Sequence, residues 1–393
     1  MYQTHTEVSG HDRRRRVRRR SLAASGFAMA AVMTATIGSA AVTAVPASAD
    51  AGAITTVQIE PSSTGAGITT ETNVDRYHVV VEPDGDRQPE LVVMLSGSNV
   101  AAAGYGDLVA HAGGLGYAAV SLSYPNQGTI GAACQTTVAT DRCFDNARGE
   151  IVFGAGVPDP QGQTYASGNV SVDAANSISG RLVALIDHLA VQDPWWGSFL
   201  VDDVTSPYVA THRGPVRLDH RKLILAGHSQ GGGHAAFLAM RTEVERAILL
   251  GSPDDTTQSG TATWIGAASA TPLDHYWAMR HQSEGAYGAH LAQVWSELGG
   301  AGIGAGDNTA EVQVGDGSGD PQGSHRLVLT VEQGTALKNH MSTAYDGSYL
   351  AGVPVAWTYL LTADGDATAR AGQMARQHAQ RHAHGRGGSH PPH

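Results

Sequence analysis

Cysteine is nearly absent from this sequence: Cys134 and Cys143 are the only two among 393 residues. Two neighbouring thiols with no histidine close by do not make a four-ligand metal centre. An even count in an exported chain points instead to one disulfide closing the short loop between them, contributing about 2–3 kcal/mol if unstrained, with two unpaired buried thiols as the alternative. Positive charge is scarce beyond the N-terminus. The first 49 residues hold seven Arg against Glu7 and Asp12, a balance of +5, so residues 50–393 carry −16 where the whole chain carries −11. Such an acidic body excludes nucleic acid and anionic membrane surfaces as natural partners and suits a soluble, monomeric exported protein. A long Leu/Ile-rich run is missing too. The apolar stretch from Leu22 to Val45 is dominated by Ala, Gly, Ser and Thr and ends at Pro46, which argues against a membrane anchor. Arg13–Arg16 and Arg18–Arg20 precede it and Ala47-Ser-Ala49 follows, so residues 1–49 read as a signal peptide cut after Ala49, leaving no stable membrane insertion. Arg19-Arg20 before Ser21-Leu22 is compatible with Tat export, and Sec export stays open.

Residues 50–75, rich in Gly, Ser and Thr, are expected to be a poorly ordered lead-in with at most one edge strand. Residues 366–393 read as a disordered tail rich in His, Arg, Gln and Gly. Between them, apolar runs of strand length alternate with helical patterns. Strands are predicted at Arg76–Val81, Leu91–Leu95, Tyr117–Ser123, Leu223–Gly227, Arg246–Gly251, Tyr276–Arg280 and Ser324–Glu332. Helices are predicted over 105–112, over 172–191 with Ser171 or Asp173 as N-cap, and over 235–240, with Val353–Leu361 as a closing helix or strand. Trp195 and Trp196 are expected to pack under the second helix, and 127–168, with both cysteines, to form a loop excursion over the sheet's carboxyl edge. A repeat of strand and helix about every thirty residues implies one α/β domain over 76–365, a mostly parallel sheet with helices on both faces.

The stretch Leu223-Ile-Leu-Ala-Gly227-His-Ser229-Gln-Gly231-Gly-Gly233 organises the rest. A Gly-x-Ser-x-Gly between a strand and a helix is a nucleophile elbow, a turn so tight that the serine is driven toward positive φ and flanking side chains would collide. The helix start after Ser229 points the Gln230 N–H where an oxyanion would form. A second donor is expected from the loop Ser96-Gly-Ser-Asn99 after its strand, with Ser98 preferred and Asn99 as the alternative.

A serine nucleophile needs a base and an acid, in the chain order Ser, acid, His. His340, after the last core strand, is the predicted base; His325, at that strand's opposite end, is read as structural, and His228 and His234 are set aside because one points across the turn and the other lies a turn down the helix. Glu284, after the strand Tyr276–Arg280, is the predicted acid, with Asp254 or Asp255 as alternatives from one strand earlier. A Gly- and Asp-rich insertion, 299–323, is of the kind that covers a site's mouth.

With these residues in place, Arg76 to Leu361 resembles the α/β-hydrolase superfamily, on the motif Gly227-His-Ser229-Gln-Gly231 and the order of the elements. Within it, Leu122-Ser-Tyr-Pro-Asn126, the cysteine pair, Phe153-Gly154 and Gly227–Gly233 look like a branch of exported bacterial serine hydrolases. The resemblance implies carboxylic ester hydrolysis on a small-molecule, lipid or polymer ester, with no cofactor or metal required. Peptidase and thioesterase chemistry would use the same parts, and a non-catalytic binding or cell-surface module is the rival reading.

Overall fold

The computed structural model describes residues 53–70 and 76–363; the expected signal peptide and tail lie outside the described residues. Nine strands form the main sheet: β1 (Ile54–Ile59), β2 (His78–Pro83), β3 (Leu91–Leu95), β4 (Ala118–Leu122), β5 (Leu223–His228), β6 (Arg246–Leu250), β7 (Tyr276–His281), β8 (Glu311–Gln313) and β9 (Arg326–Leu329). Their order is β1-β2-β4-β3-β5-β6-β7-β9-β8, antiparallel at β1–β2 and β2–β4 and parallel elsewhere.

The central strands are continuous apolar runs because both faces are covered. Along β3, Leu91, Val93 and Leu95 join one core while Val92 and Met94 join the other. The first core receives α3 (Cys143–Phe153), α4 (Ile178–Ala190), α5 (Gln230–Arg241) and α6 (Leu291–Glu297); the second receives α1 (Gly106–Gly114) and α8 (Val353–Thr362). Trp196 is buried in the first core beside α4, as its composition suggested. Among the described residues no helix is long and apolar enough to cross a membrane.

The lead-in supplies the one edge strand allowed for there, β1, paired along its whole length with β2. Three other local expectations change. The excursion 127–168 is largely helical, as α2 (Ile130–Cys134) and α3, joined by the Cys134–Cys143 disulfide with its Cα atoms 5.4 Å apart. Its apolar periodicity is broken because α3 buries Asp145, Arg148 and Glu150 as well as Phe144 and Ile151, each charge having internal partners such as the Ser167 and Val172 N–H groups on Glu150. Helix α4 starts later than predicted, with Ser177 as N-cap accepting from the Gly180 N–H at 3.1 Å, because Asp173 is engaged in its own turn with the Asn176 N–H. The insertion 299–323 adds β8 to the sheet edge beside β9, and its Asp307 holds His325 at 2.9 Å. His325 also stacks on Trp277 with ring centroids 3.7 Å apart, a structural role.

Candidate active site

From β3 the chain moves to β4 on one side and later to β5 on the other, so the carboxyl ends of β3 and β5 flank a topological switch point, where open α/β sheets bind ligands. Ser229 follows β5 there. It has φ 53° and ψ −123°, a strained backbone held on one side by its N–H donating to the Leu250 carbonyl at 2.9 Å. The flanking glycines are required by space. A Cβ on Gly227 would lie 2.4 Å from the Gly231 carbonyl carbon, and one on Gly231 2.2 Å from the Leu95 carbonyl oxygen. With this turn joining the parallel strand β5 to α5 in a sheet of this order, the architecture is settled.

The fold is that of the α/β-hydrolases. The chain resembles several solved structures: dienelactone hydrolase from Anabaena variabilis, at 11% identity over 79% of this chain and 98% of that one, with a TM-score of 0.34; ferulic acid esterase from Streptomyces cinnamoneus, at 16% identity over 66% and 74%, with a TM-score of 0.28; and a truncated carbohydrate esterase from gut microbiota, at 10% identity over 80% and 99%, with a TM-score of 0.34. No protein-family profile matches the sequence, and a search of curated proteins finds no match. At such low identity and TM-score, what this hydrolase-fold site does has to be read from its own atoms.

His340 lies on the short helix α7 (Ala336–Met341), with Thr335 capping the helix through the Lys338 N–H. Its Nδ1 is 2.6 Å from Oε2 of Glu284, and the other oxygen of that carboxylate accepts the His281 N–H at 2.6 Å. Both side chains are buried. A carboxylate at Nδ1 places the proton on that nitrogen and leaves Nε2 with its lone pair. Nε2 is buried and has no hydrogen-bond partner among the described residues. The pair lies flat against Gly251, whose Cβ would fall 3.0 Å from the imidazole and 3.2 Å from Glu284 Oε2. Gly251 directly follows Leu250, the residue that holds Ser229, so His340 and Ser229 are both anchored at the end of β6, with no hydrogen bond between Ser229 Oγ and His340 Nε2.

The alternative acids are engaged elsewhere. Asp255 receives both Nε and Nη2 of Arg148 at 2.5 Å and the Trp264 indole N–H at 2.9 Å. Asp254 accepts the His290 N–H at 3.1 Å, and burial pushes its pKa above the usual carboxylate range. Of the three carboxylates, Glu284 is the one on His340.

The two candidate oxyanion donors, the N–H groups of Gln230 and Ser98, have no hydrogen-bond partner among the described residues. Asn99 differs: its N–H donates to the Asn126 carbonyl at 3.1 Å, which leaves Ser98 as the candidate donor from this loop.

Four residues support the site; His228 was set aside in the sequence, and Tyr105, Asn339 and Tyr287 were given no role there. His228 is fully buried, and burial, reinforced by nearby His340, holds its pKa well below the usual histidine range, so it is neutral. One chain of donors runs through it: the Gly97 N–H donates to Tyr105 Oη at 3.1 Å, the Tyr105 hydroxyl to His228 Nδ1 at 2.9 Å, and His228 Nε2–H to the His340 carbonyl at 3.1 Å. Asn339 ties α7 to the loop carrying Glu284 through the Ser283 carbonyl at 3.0 Å and Glu332 at 2.8 Å. Tyr287 stacks on the His340 ring at 5.3 Å. Adjacency was the available signal: Asn339 precedes His340, and Tyr287 lies one turn after Glu284. Among the described residues no group of three or more His, Cys, Asp or Glu side chains is placed to hold a metal ion.

Proposed function

We propose that this chain is an exported serine hydrolase that cleaves carboxylic esters through an acyl-enzyme on Ser229. The observation that carries the reading is the His340 imidazole, fixed on a buried carboxylate through Nδ1 and presenting an unpartnered Nε2 at the end of the strands that bear a strained serine. In the proposed cycle, Ser229 Oγ attacks the ester carbonyl as its proton passes to His340 Nε2, and Glu284 stabilises the resulting imidazolium. The N–H groups of Gln230 and Ser98 hold the oxyanion, each worth about 3–4 kcal/mol of barrier. Collapse breaks the carbon–oxygen bond, and the departing alcohol takes the proton from His340. Water repeats the sequence and releases the acid. Esters suit this machinery because an alcohol leaves more readily than an amine, and small-molecule, lipid and polymer esters all contain the group it attacks.

A fluorophosphonate probe tests the reading. The protein is expected to be labelled at Ser229, to lose the label in Ser229→Ala, and to lose p-nitrophenyl ester hydrolysis in proportion to the labelled fraction. A folded wild-type protein that neither labels nor turns over esters would instead be a binding module with a hydrolase fold.

A further inference from the structure

The proposed cycle uses only the backbone N–H of Gln230, yet its side chain is buried and its carbonyl oxygen is engaged. Oε1 accepts two hydrogen bonds, from Ser98 Oγ at 2.9 Å and from the Ile130 N–H at 2.9 Å. Ser98 is in the loop after β3 and Ile130 opens α2, so one carbonyl oxygen joins three segments that are distant in sequence. Arg148 of α3 grips the same residue from its other side, donating from Nη1 to the Gln230 carbonyl at 3.0 Å while Asp255 neutralises it. The Cys134–Cys143 disulfide couples the two helices from which these contacts come.

We propose that the Gln230 side chain is a positioning residue for the oxyanion hole, setting the distance between Ser98, which brings one donor, and its own backbone, which brings the other. This rests on the acyl-transfer reading. Two amides on separate segments converge on an oxyanion only if something spaces them before it forms. Glutamine is well matched to such spacing because its carbonyl oxygen has two lone pairs for the two donors. It is also neutral, whereas a glutamate there would set a negative charge beside the developing oxyanion.

The test is steady-state hydrolysis of p-nitrophenyl butyrate by the full chain, with fluorophosphonate labelling rates measured in parallel. Gln230→Met, which keeps length and loses the acceptor, is expected to lower kcat by about tenfold to a hundredfold with KM within about twofold, and to slow labelling equally. Ser98→Ala is expected to lose less, Ser98→Thr to recover most of that loss by restoring the hydroxyl, and the double variant to be no worse than Gln230→Met alone, since both act through one bond. Wild-type kcat in Gln230→Met, losses that multiply in the double variant, or a change confined to KM would overturn the proposal. Should Gln230→Met fail to fold, Ser98→Ala against Ser98→Thr decides by itself: equal kcat in the two rejects it. A wild-type chain that neither hydrolyses nor labels removes the acyl-transfer reading, and this one with it.

Discussion

Glu284 faces two donors at once, the His281 N–H and His340 Nδ1, and both require an acceptor. Glu284→Gln can satisfy the first with its carbonyl oxygen, but then presents its NH2 to His340. The imidazole must turn its lone pair to Nδ1, and Nε2 becomes a donor that no longer accepts the Ser229 proton. We expect kcat for p-nitrophenyl esters to fall by about 10³-fold or more while the melting temperature changes little. Asp254→Asn should stay within about twofold of wild type, as it touches only His290. Asp255→Asn should behave differently again, losing about 3–5 kcal/mol of stability because Arg148 is left buried without its counter-charge; urea unfolding beside turnover separates the two effects. The sequence ranked Glu284 first and left Asp254 and Asp255 open, because each follows the carboxyl end of a core strand. What separates them is Arg148 and His290, which reach Asp255 and Asp254 from segments distant in sequence. Ser229 was legible because steric need writes glycine at fixed offsets. His228 was not, because its role lies in hydrogen bonds to Tyr105 and the His340 backbone that no local pattern records.

The central strands were readable as elements, since two covered faces make continuous apolar runs; α2 and α3 were not, since α2 is little more than one turn and the buried face of α3 carries charge. Those two helices are joined by the disulfide. Replacing Cys134 and Cys143 together by serine should lower unfolding stability by about 2–3 kcal/mol in urea titrations under oxidising conditions, and a loss below about 0.5 kcal/mol would show that the bridge does not constrain the unfolded chain. At the start of α1, the Asp346 carboxylate accepts the Asp107 N–H at 3.2 Å, with the Asp107 side chain close by. Burial, then repulsion from Asp107, pushes Asp346 up to about 7. The folded-state value lies above the unfolded one, so its contribution to stability is complete in acid and is lost as pH rises from about 4 through 7. Asp346→Asn should therefore raise stability at pH 8 by about 1 kcal/mol, after allowance for partial exposure, and have little effect at pH 4. Thermal melts at the two pH values check the sign.

At the scale of the molecule, the crossover between β4 and β5 brings Ser98 and Ser229 together, and the order of strands made that junction legible before any distance was known. The edges were less so. Strand β8 came from an insertion whose Gly and Asp content looked like loop, and β1 is the one edge strand allowed for in a lead-in of weak pattern, because an edge strand needs few apolar residues. Export belongs to the same scale. In a bacterial host the secreted protein is expected to begin at Asp50, by N-terminal sequencing of the culture supernatant; retention of residues 1–49 on a membrane-bound product would reject the assignment.

Three glycines in succession open α5, and each is hemmed in by a different neighbour: Gly231 by the Leu95 and Ser96 carbonyls, Gly232 by the Ser252 hydroxyl, Gly233 by the Arg148 guanidinium. Glycine is a poor helix former, costing about 1 kcal/mol against alanine at each place, so this first turn has little stiffness of its own. It is splinted from outside, by a strand, a hydroxyl and a cation. Loosening any one splint would let the serine drift while the helix behind it stayed intact, an injury visible in turnover before it is visible in a melting curve.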